Sequence, residues 1–296
     1  MTTDRGQSLR DIIEQGGRSF SFEFFPPKDA AGEQQLWQAI TELEPYCPTF
    51  VSVTYGAGGA TRDRTVAITE RIARETTLLP VAHLTCVGHT TDELVGILQE
   101  LADAGVHHVM ALRGDPPEGP GSPWTPTEGG VTYASDLVRL IKRTADVRVG
   151  VAAFPEGHVE AASLDDDARV LRAKYDAGAE FAVTEMVLRA SDYEGLVERA
   201  AAAGADLPIL PGLMPILNLR SMTRMVELSR RDLPREVVAR LAPYEHDPAG
   251  LRAEGIQIAT ELGEALLAAG APGLHFYTLN RSQATREIYA NLQIAV

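Results

Sequence analysis

The chain has 296 residues, 45% hydrophobic and 23% charged, an ordinary globular mixture with material for a substantial core. Forty-one acidic against 27 basic side chains give a formal charge of −14, the wrong sign for a nucleic-acid or anionic-membrane surface. No run reaches the ~18 apolar residues of a membrane span, and the polar opening stretch lacks the apolar segment of a secretory signal, so a soluble, cytoplasmic protein is expected.

Short apolar, β-rich runs alternate with amphipathic stretches along the whole chain. Strands are predicted over 20–25, 50–55, 81–86, 108–112, 148–154, 181–187, 209–213 and 274–279. Helices are predicted over 33–43, 64–74, 91–104, 134–144, 165–177, 192–203 and 219–229, then 234–241, 248–269 and 282–293. Eight strands alternating with helices imply right-handed parallel βαβ units that close into a (β/α)8 TIM barrel, one domain over 1–296 with an extra C-terminal helix. An open doubly wound sheet is the alternative, but no GxGxxG follows a strand. Ala104-Gly105-Val106, Ala177-Gly178-Ala179 and Ala269-Gly270-Ala271 each place a glycine where a helix ends before the next strand. The Pro- and Gly-rich segment 116–130 is long for a compact domain and reads as a binding loop or lid.

On such a barrel the chemistry collects where strands end. Polar residues ending apolar strands are Glu23, Thr54, His83, Arg113-Gly114-Asp115, Phe154 with His158, Glu185, and Tyr277 with Arg281. Glu23, flanked by Phe22, Phe24 and Phe25, should face the barrel interior or mouth. Desolvation there raises a carboxyl's pKa and suits a general acid; a buried pair with Arg or Lys is the plainer alternative. Asp115 ends the fourth strand after a glycine that lets backbone approach a ligand, and a loop salt bridge is its plainer role. The turn Tyr55-Gly56-Ala57-Gly58-Gly59 has room to cradle a ligand, a weak signal alone.

No HxH or HExxH spacing joins His83 or His158 into a metal site, and His107-His108 begins a strand at the opposite, structural end. Cys47 and Cys86 form no CxxC, which fits a reducing compartment and two buried structural thiols. Without a GxSxG elbow or an activated cysteine, nucleophilic hydrolysis is disfavoured.

Seven segments then resemble the methylenetetrahydrofolate reductase family. They begin with Ser21-Phe22-Glu23-Phe24-Phe25-Pro26-Pro27-Lys28, Phe50-Val51-Ser52-Val53-Thr54-Tyr55-Gly56-Ala57 and His83-Leu84-Thr85-Cys86. The others are Ala111-Leu112-Arg113-Gly114-Asp115-Pro116-Pro117, Val151-Ala152-Ala153-Phe154-Pro155-Glu156, Pro211-Gly212-Leu213-Met214-Pro215-Ile216 and His275-Phe276-Tyr277-Thr278-Leu279-Asn280. The resemblance implies an eight-fold α/β barrel that reduces methylenetetrahydrofolate to methyltetrahydrofolate with NADH or NADPH, in the bacterial form without a regulatory domain. It implies Glu23 as the acid that opens the methylene bridge and Asp115 as the carboxylate that binds the pterin and stabilises the cation. Thr54, Glu185, Tyr277 and Arg281 fall at substrate positions.

The family normally places FAD between its substrates. Thr54, His83, Arg113, Gly114, Tyr133, Ala134, Ala152, His158, Asp167 and Lys174 keep flavin-contacting identities. Phe154, however, stands where Tyr is usual, and Val170 and Ala173 where Asn and Arg are usual. Each lost charge-assisted contact costs roughly 1.5–3 kcal/mol. Thr184-Glu185 replaces Thr-Gln, and Leu219 replaces a stacking aromatic. These departures favour the flavin-free variation, in which hydride passes directly from the nicotinamide to the folate in a ternary complex. An FAD-dependent ping-pong reductase and a non-catalytic folate- or nucleotide-binding barrel are the alternatives. Oligomeric state is not legible.

Overall fold

The computed structural model describes residues 7–15, 17–55, 62–116, 119, 122–229 and 231–294. Eight parallel strands close in sequence order: β1 (Ser19–Phe24), β2 (Phe50–Val53), β3 (Pro80–Thr85), β4 (His108–Leu112), β5 (Arg148–Ala153), β6 (Phe181–Met186), β7 (Ile209–Leu213) and β8 (Gly273–Tyr277). The ring shuts where β8 pairs with β1, from Ser19 opposite Gly273 to Glu23 opposite Tyr277. Around it run α1 (Leu9–Gln15), α2 (Ala30–Leu43), α3 (Arg62–Glu75), α4 (Thr91–Asp103), α5 (Ala134–Thr144), α6 (Leu164–Asp176) and α7 (Ala190–Ala202). α8 (Leu219–Leu228), α9 (Arg235–Leu241), α10 (Pro248–Ala268) and α11 (Ser282–Asn291) complete the set.

Helix starts follow local chemistry. Thr90 and Glu93 form a reciprocal capping box on α4, while Asp29, Ser163, Asn218 and Asp247 accept from first-turn amides of α2, α6, α8 and α10. The recurrent glycines after helices do their expected work: Gly105, Gly178 and Gly270 have φ of +77°, +111° and +88°. Gly204 adds a fourth turn of the same kind, at +81°.

Period-2 alternation sorts the strand side chains into two cores. Phe20, Phe22 and Phe24 point outward into the layer beneath the helices, where Tyr289 of α11 meets Phe20 at 5.3 Å and Phe22 at 6.4 Å between ring centroids. Inside the barrel, Phe50, Val81, Met110, Phe181, Val183 and Leu210 pack on Leu9 and Ile13 of α1, which plugs the N-terminal end. α1 is absent from the sequence expectation: seven residues with two buried anchors carry too little periodicity to read as a helix. A plugged floor leaves the C-terminal mouth as the open end.

Cys86 is buried, and burial pushes its thiol up to about 12, so it is inert. Cys47 corrects the expectation of two buried thiols. It is exposed, with φ +47°, at the end of the 3-10 turn Glu44–Tyr46. No helix among the described residues is long and apolar enough to cross a membrane.

Candidate active site

Glu23 projects inward from β1 and is 5% exposed. Three partners from three other strands converge on one of its oxygens, Oε2. Ser52 of β2 donates to it at 3.1 Å, His275 Nε2 of β8 lies at 3.2 Å, and His83 Nε2 of β3 at 3.4 Å. Ser21 Oγ, two residues back on β1, holds His275 Nδ1 at 2.7 Å. Oε1 has no hydrogen-bond partner among the described residues and is not sealed from solvent. Thus one oxygen is anchored and the other, unpartnered among the described residues, keeps a little solvent contact.

This network corrects the expected charge state. Burial is the largest single influence and pushes the Glu23 carboxyl up. The hydrogen bond from His275, the positive charge available at His83 and His275, and the Ser52 hydroxyl together outweigh it, so the carboxyl sits below its ordinary value. His83 moves down as well, chiefly through desolvation. Glu23 therefore rests as a carboxylate in the free barrel. Among the described residues no Arg or Lys pairs with it, and Asp115 makes no hydrogen bond or ion pair with it. His83, expected on the cofactor side, is a neighbour of the acid. Ser21, Ser52 and His275 escaped the sequence reading, yet a signal existed: they are polar residues at inward positions of otherwise apolar strands.

Tyr277 donates to Thr184 O at 2.7 Å. Burial, followed by the charges of Glu23 and Glu185, raises its phenol well above the ordinary value, which keeps it a donor. Glu185, at the end of β6, accepts from Ser229 Oγ at 2.7 Å and stands 2.9 Å from Arg231 Nη2. The Arg231 side chain, 10% exposed, also donates through Nη1 to Glu156 and to Met186 O, both at 3.1 Å. The carboxylate that replaces the usual amide is thus neutralised by an arginine 46 residues away, a partner no local pattern announces.

A third group lies over β4 and β5. Arg113 makes a bidentate pair with Glu160, at 2.6 and 3.0 Å, and stacks on Trp124 at 5.1 Å. Lys174, buried, donates to Ala152 O at 2.8 Å and sits 5.6 Å above the Phe154 ring, which meets His158 edge-on at 4.8 Å. Desolvation brings the Lys174 amine down to about 8 against the opposing pull of Asp167, whose own carboxyl burial raises. Tyr133 is 59% exposed at the start of α5. Gly114 has φ +84°, and a Cβ there would lie 2.4 Å from Val87 and 2.9 Å from Thr85. Its glycine is therefore required by the protein's own packing as well as by the turn.

Asp115 is exposed and has no hydrogen bond or ion pair among the described residues. Thr54 is half-buried, its amide donating to Phe24 O and its carbonyl accepting from Thr65. The glycines 56–59 lie outside the described residues, as do 117, 118, 120 and 121 of the expected lid. The described second half of that lid is pinned: Trp124 donates to Gly114 O, Thr127 Oγ1 accepts from Gly88 N, and Thr91 donates to Gly129 O.

At the end of β8, Leu279 and Asn280 both take left-handed backbone, φ +52° and +56°. The Asn280 amide accepts from Phe25 N and donates to Phe25 O, both at 2.8 Å, tying β8 to β1. This clamp sets Arg281 at the rim, beside a cavity of about 270 Å³ walled by Met214, Met222, Met225 and Leu279. Among the described residues no group of three or more His, Cys, Asp or Glu is arranged to hold a metal.

A closed α/β barrel plugged at one end, with a buried acid and two imidazoles at the other, is an enzyme scaffold with its chemistry at the strand C-termini. Residues 8–293 match the family model described as methylenetetrahydrofolate reductase. The 5,10-methylenetetrahydrofolate reductase of Escherichia coli is 38% identical over 288 residues, 97% of this chain and 94% of that one. Methylenetetrahydrofolate reductase (NADH) 1 of Arabidopsis thaliana is 35% identical, over 96% of this chain and 50% of that one. A Clostridium thermocellum protein described as binding two copies of 5-methyl-5,6,7,8-tetrahydrofolic acid shares the fold, with TM-score 0.63 and 13% identity over 97% and 98% of the two chains. The chain belongs to the methylenetetrahydrofolate reductase family and is an oxidoreductase.

Proposed function

We propose that the chain reduces methylenetetrahydrofolate to methyltetrahydrofolate by direct hydride transfer from NADH or NADPH, with Glu23 as general acid. The observation that carries this reading is the Glu23 carboxyl, anchored through Oε2 near the C-terminal end of β1 with Oε1 unpartnered among the described residues. A proton from Oε1 to the bridge nitrogen N10 breaks its bond to the methylene carbon and leaves an iminium ion at N5. Hydride from the nicotinamide then adds to that carbon, giving the methyl group and oxidised nicotinamide. Because Glu23 rests ionised, its proton must be loaded. A folate seated on Oε1 removes the remaining water and strengthens the desolvation that already pushes the carboxyl up. His275 and His83 are the imidazoles nearest Oε2, at 3.2 and 3.4 Å. Asp115, without a partner among the described residues, is available to the pterin and the developing cation. Thr54, Glu185, Tyr277 and Arg281 complete the substrate side. The Arabidopsis relative, an NADH-named methylenetetrahydrofolate reductase, supports NADH as donor.

FAD, which the family implies, fits these residues poorly. Arg113 is spent on Glu160 and Trp124, and Lys174 on Ala152 O. On α6, Val170 is half exposed and, with Ala173, offers no polar group. His158, Phe154, Ala152 and Tyr133 are then left to a nicotinamide nucleotide. The clustering of Arg113, His158, Asp167 and Lys174 favours the second reading, an FAD-dependent ping-pong reductase. The absorbance spectrum of the purified protein decides: no flavin band is expected, and near-stoichiometric flavin would overturn direct transfer. Glu23→Gln should lower the rate by roughly 10²–10⁴-fold with folate still bound; full activity would remove Glu23 as the acid.

A further inference from the structure

One described cavity lies away from Glu23. It is a groove of about 900 Å³ on the outside of the barrel, between α2, α10 and α11, which adjoins the rim cavity. Gln35, Leu217 and Arg281 wall both spaces, so a ligand leaving the rim past Arg281 enters the groove. We propose that this groove holds the anionic γ-glutamyl tail of a polyglutamylated folate, with Arg286 and Arg252 as its contacts beyond Arg281. The inference rests on the folate reading above and extends it to the part of the substrate remote from the reaction.

Shape and charge both support it. The rim cavity, with its methionine and leucine walls, suits an aryl ring and not a chain of carboxylates. The groove carries three arginines, 252, 281 and 286, against two carboxylates, Glu42 and Glu287, a local excess of one positive charge on a chain of −14. Arg281 has no ion pair among the described residues. Arg286 is 46% exposed, lies 3.5 Å from Glu42 and also interacts with the Tyr46 hydroxyl. An exposed pair of that length is weak and exchanges readily with a ligand carboxylate. Glu42 is not orphaned by the exchange, because Ser282 and Gln38 both donate to it. Arg252 is more firmly held, by a bidentate pair with Glu287 at 2.7 and 2.9 Å, and serves as the distal end of the cationic strip. A nucleotide is a poorer occupant: the one aromatic wall, Tyr46, is already engaged edge-on with Tyr289 at 5.0 Å.

The test is calorimetry with methyltetrahydrofolate bearing one or five glutamates, on the wild-type protein and on Arg252→Gln/Arg286→Gln. In the wild type the pentaglutamate should bind about tenfold tighter at low salt, an advantage that shrinks as salt rises. In the double variant the ratio of the two dissociation constants should collapse towards one, and taking the ratio cancels any general loss of affinity. Should that variant fail to fold, Arg286→Gln alone supplies the ratio. Equal affinities in the wild type, or an undiminished ratio in the variant, would overturn the groove assignment and leave the reductase reading standing. A tail-dependent ratio in a protein that does not oxidise NADH with methylenetetrahydrofolate would sink the reductase reading alone. Binding of neither folate would sink both.

Discussion

His275 Nε2 stands 3.2 Å from Glu23 Oε2 on the adjoining strand, while Ser21, on the same strand as Glu23, grips the other nitrogen of that imidazole. The acid's charge is therefore set in part from β8, through a side chain with no exposed surface.

Replacing His275 by Asn removes a hydrogen bond and a positive charge from Glu23, both of which lower its pKa. The carboxyl should move up, so the protonated, acid-competent form persists to higher pH. The descending limb of the kcat/KM profile should shift in the alkaline direction, with a stability cost of about 2 kcal/mol from lost packing and hydrogen bonding. An unmoved limb would show that His275 does not govern the acid.

Asn280→Ala removes both hydrogen bonds to the Phe25 main chain and places alanine at φ +56°. Two net hydrogen bonds plus left-handed strain amount to about 2–4 kcal/mol, measurable by urea unfolding. Asn280→Gly loses the same bonds without the strain, so it should fall about 1 kcal/mol short of the alanine variant.

Arg231→Met leaves Glu185 and Glu156 without their buried counter-charge. Fully buried pairs cost about 3–5 kcal/mol to break, but Glu185 is 39% exposed and partly screened, so about 2 kcal/mol is expected. Adding Glu185→Gln should recover part of that loss. Strict additivity in the double-mutant cycle would mean that the two residues are not coupled.

His108 lies at the plugged end, fully buried, with Nε2 3.0 Å from Gln7 O, and burial brings its pKa from 6.5 down to about 4. The unfolded chain takes up a proton below about 6.5 that the folded protein refuses until about 4. This site's contribution is therefore intact above pH 6.5, declines as pH falls, and levels off below about 4, for a total of about 3 kcal/mol. His108→Gln should flatten that part of the Tm-against-pH curve; an unchanged slope would place the acid sensitivity elsewhere.

The barrel itself was legible because strand and helix periods are local. β4, β7 and α5 fall where the pattern predicts them, over 108–112, 209–213 and 134–144, and other elements differ by a residue or a few at their ends. α1 was not, since its significance lies in what its two apolar anchors plug rather than in its own seven residues.

By itself the amino-acid sequence determined the eight βα units and the inward position of Glu23, properties of residues next to one another in the chain, while the family resemblance marked the departures at Phe154, Val170 and Ala173. Only the tertiary structure decided the acid's charge, the counter-ion of Glu185 and the groove beyond Arg281. Those depend on His83, His275, Arg231, Arg252 and Arg286, which come from separate elements that meet only when the barrel closes. Electrostatic interaction follows distance in space, and sequence separation carries no record of it.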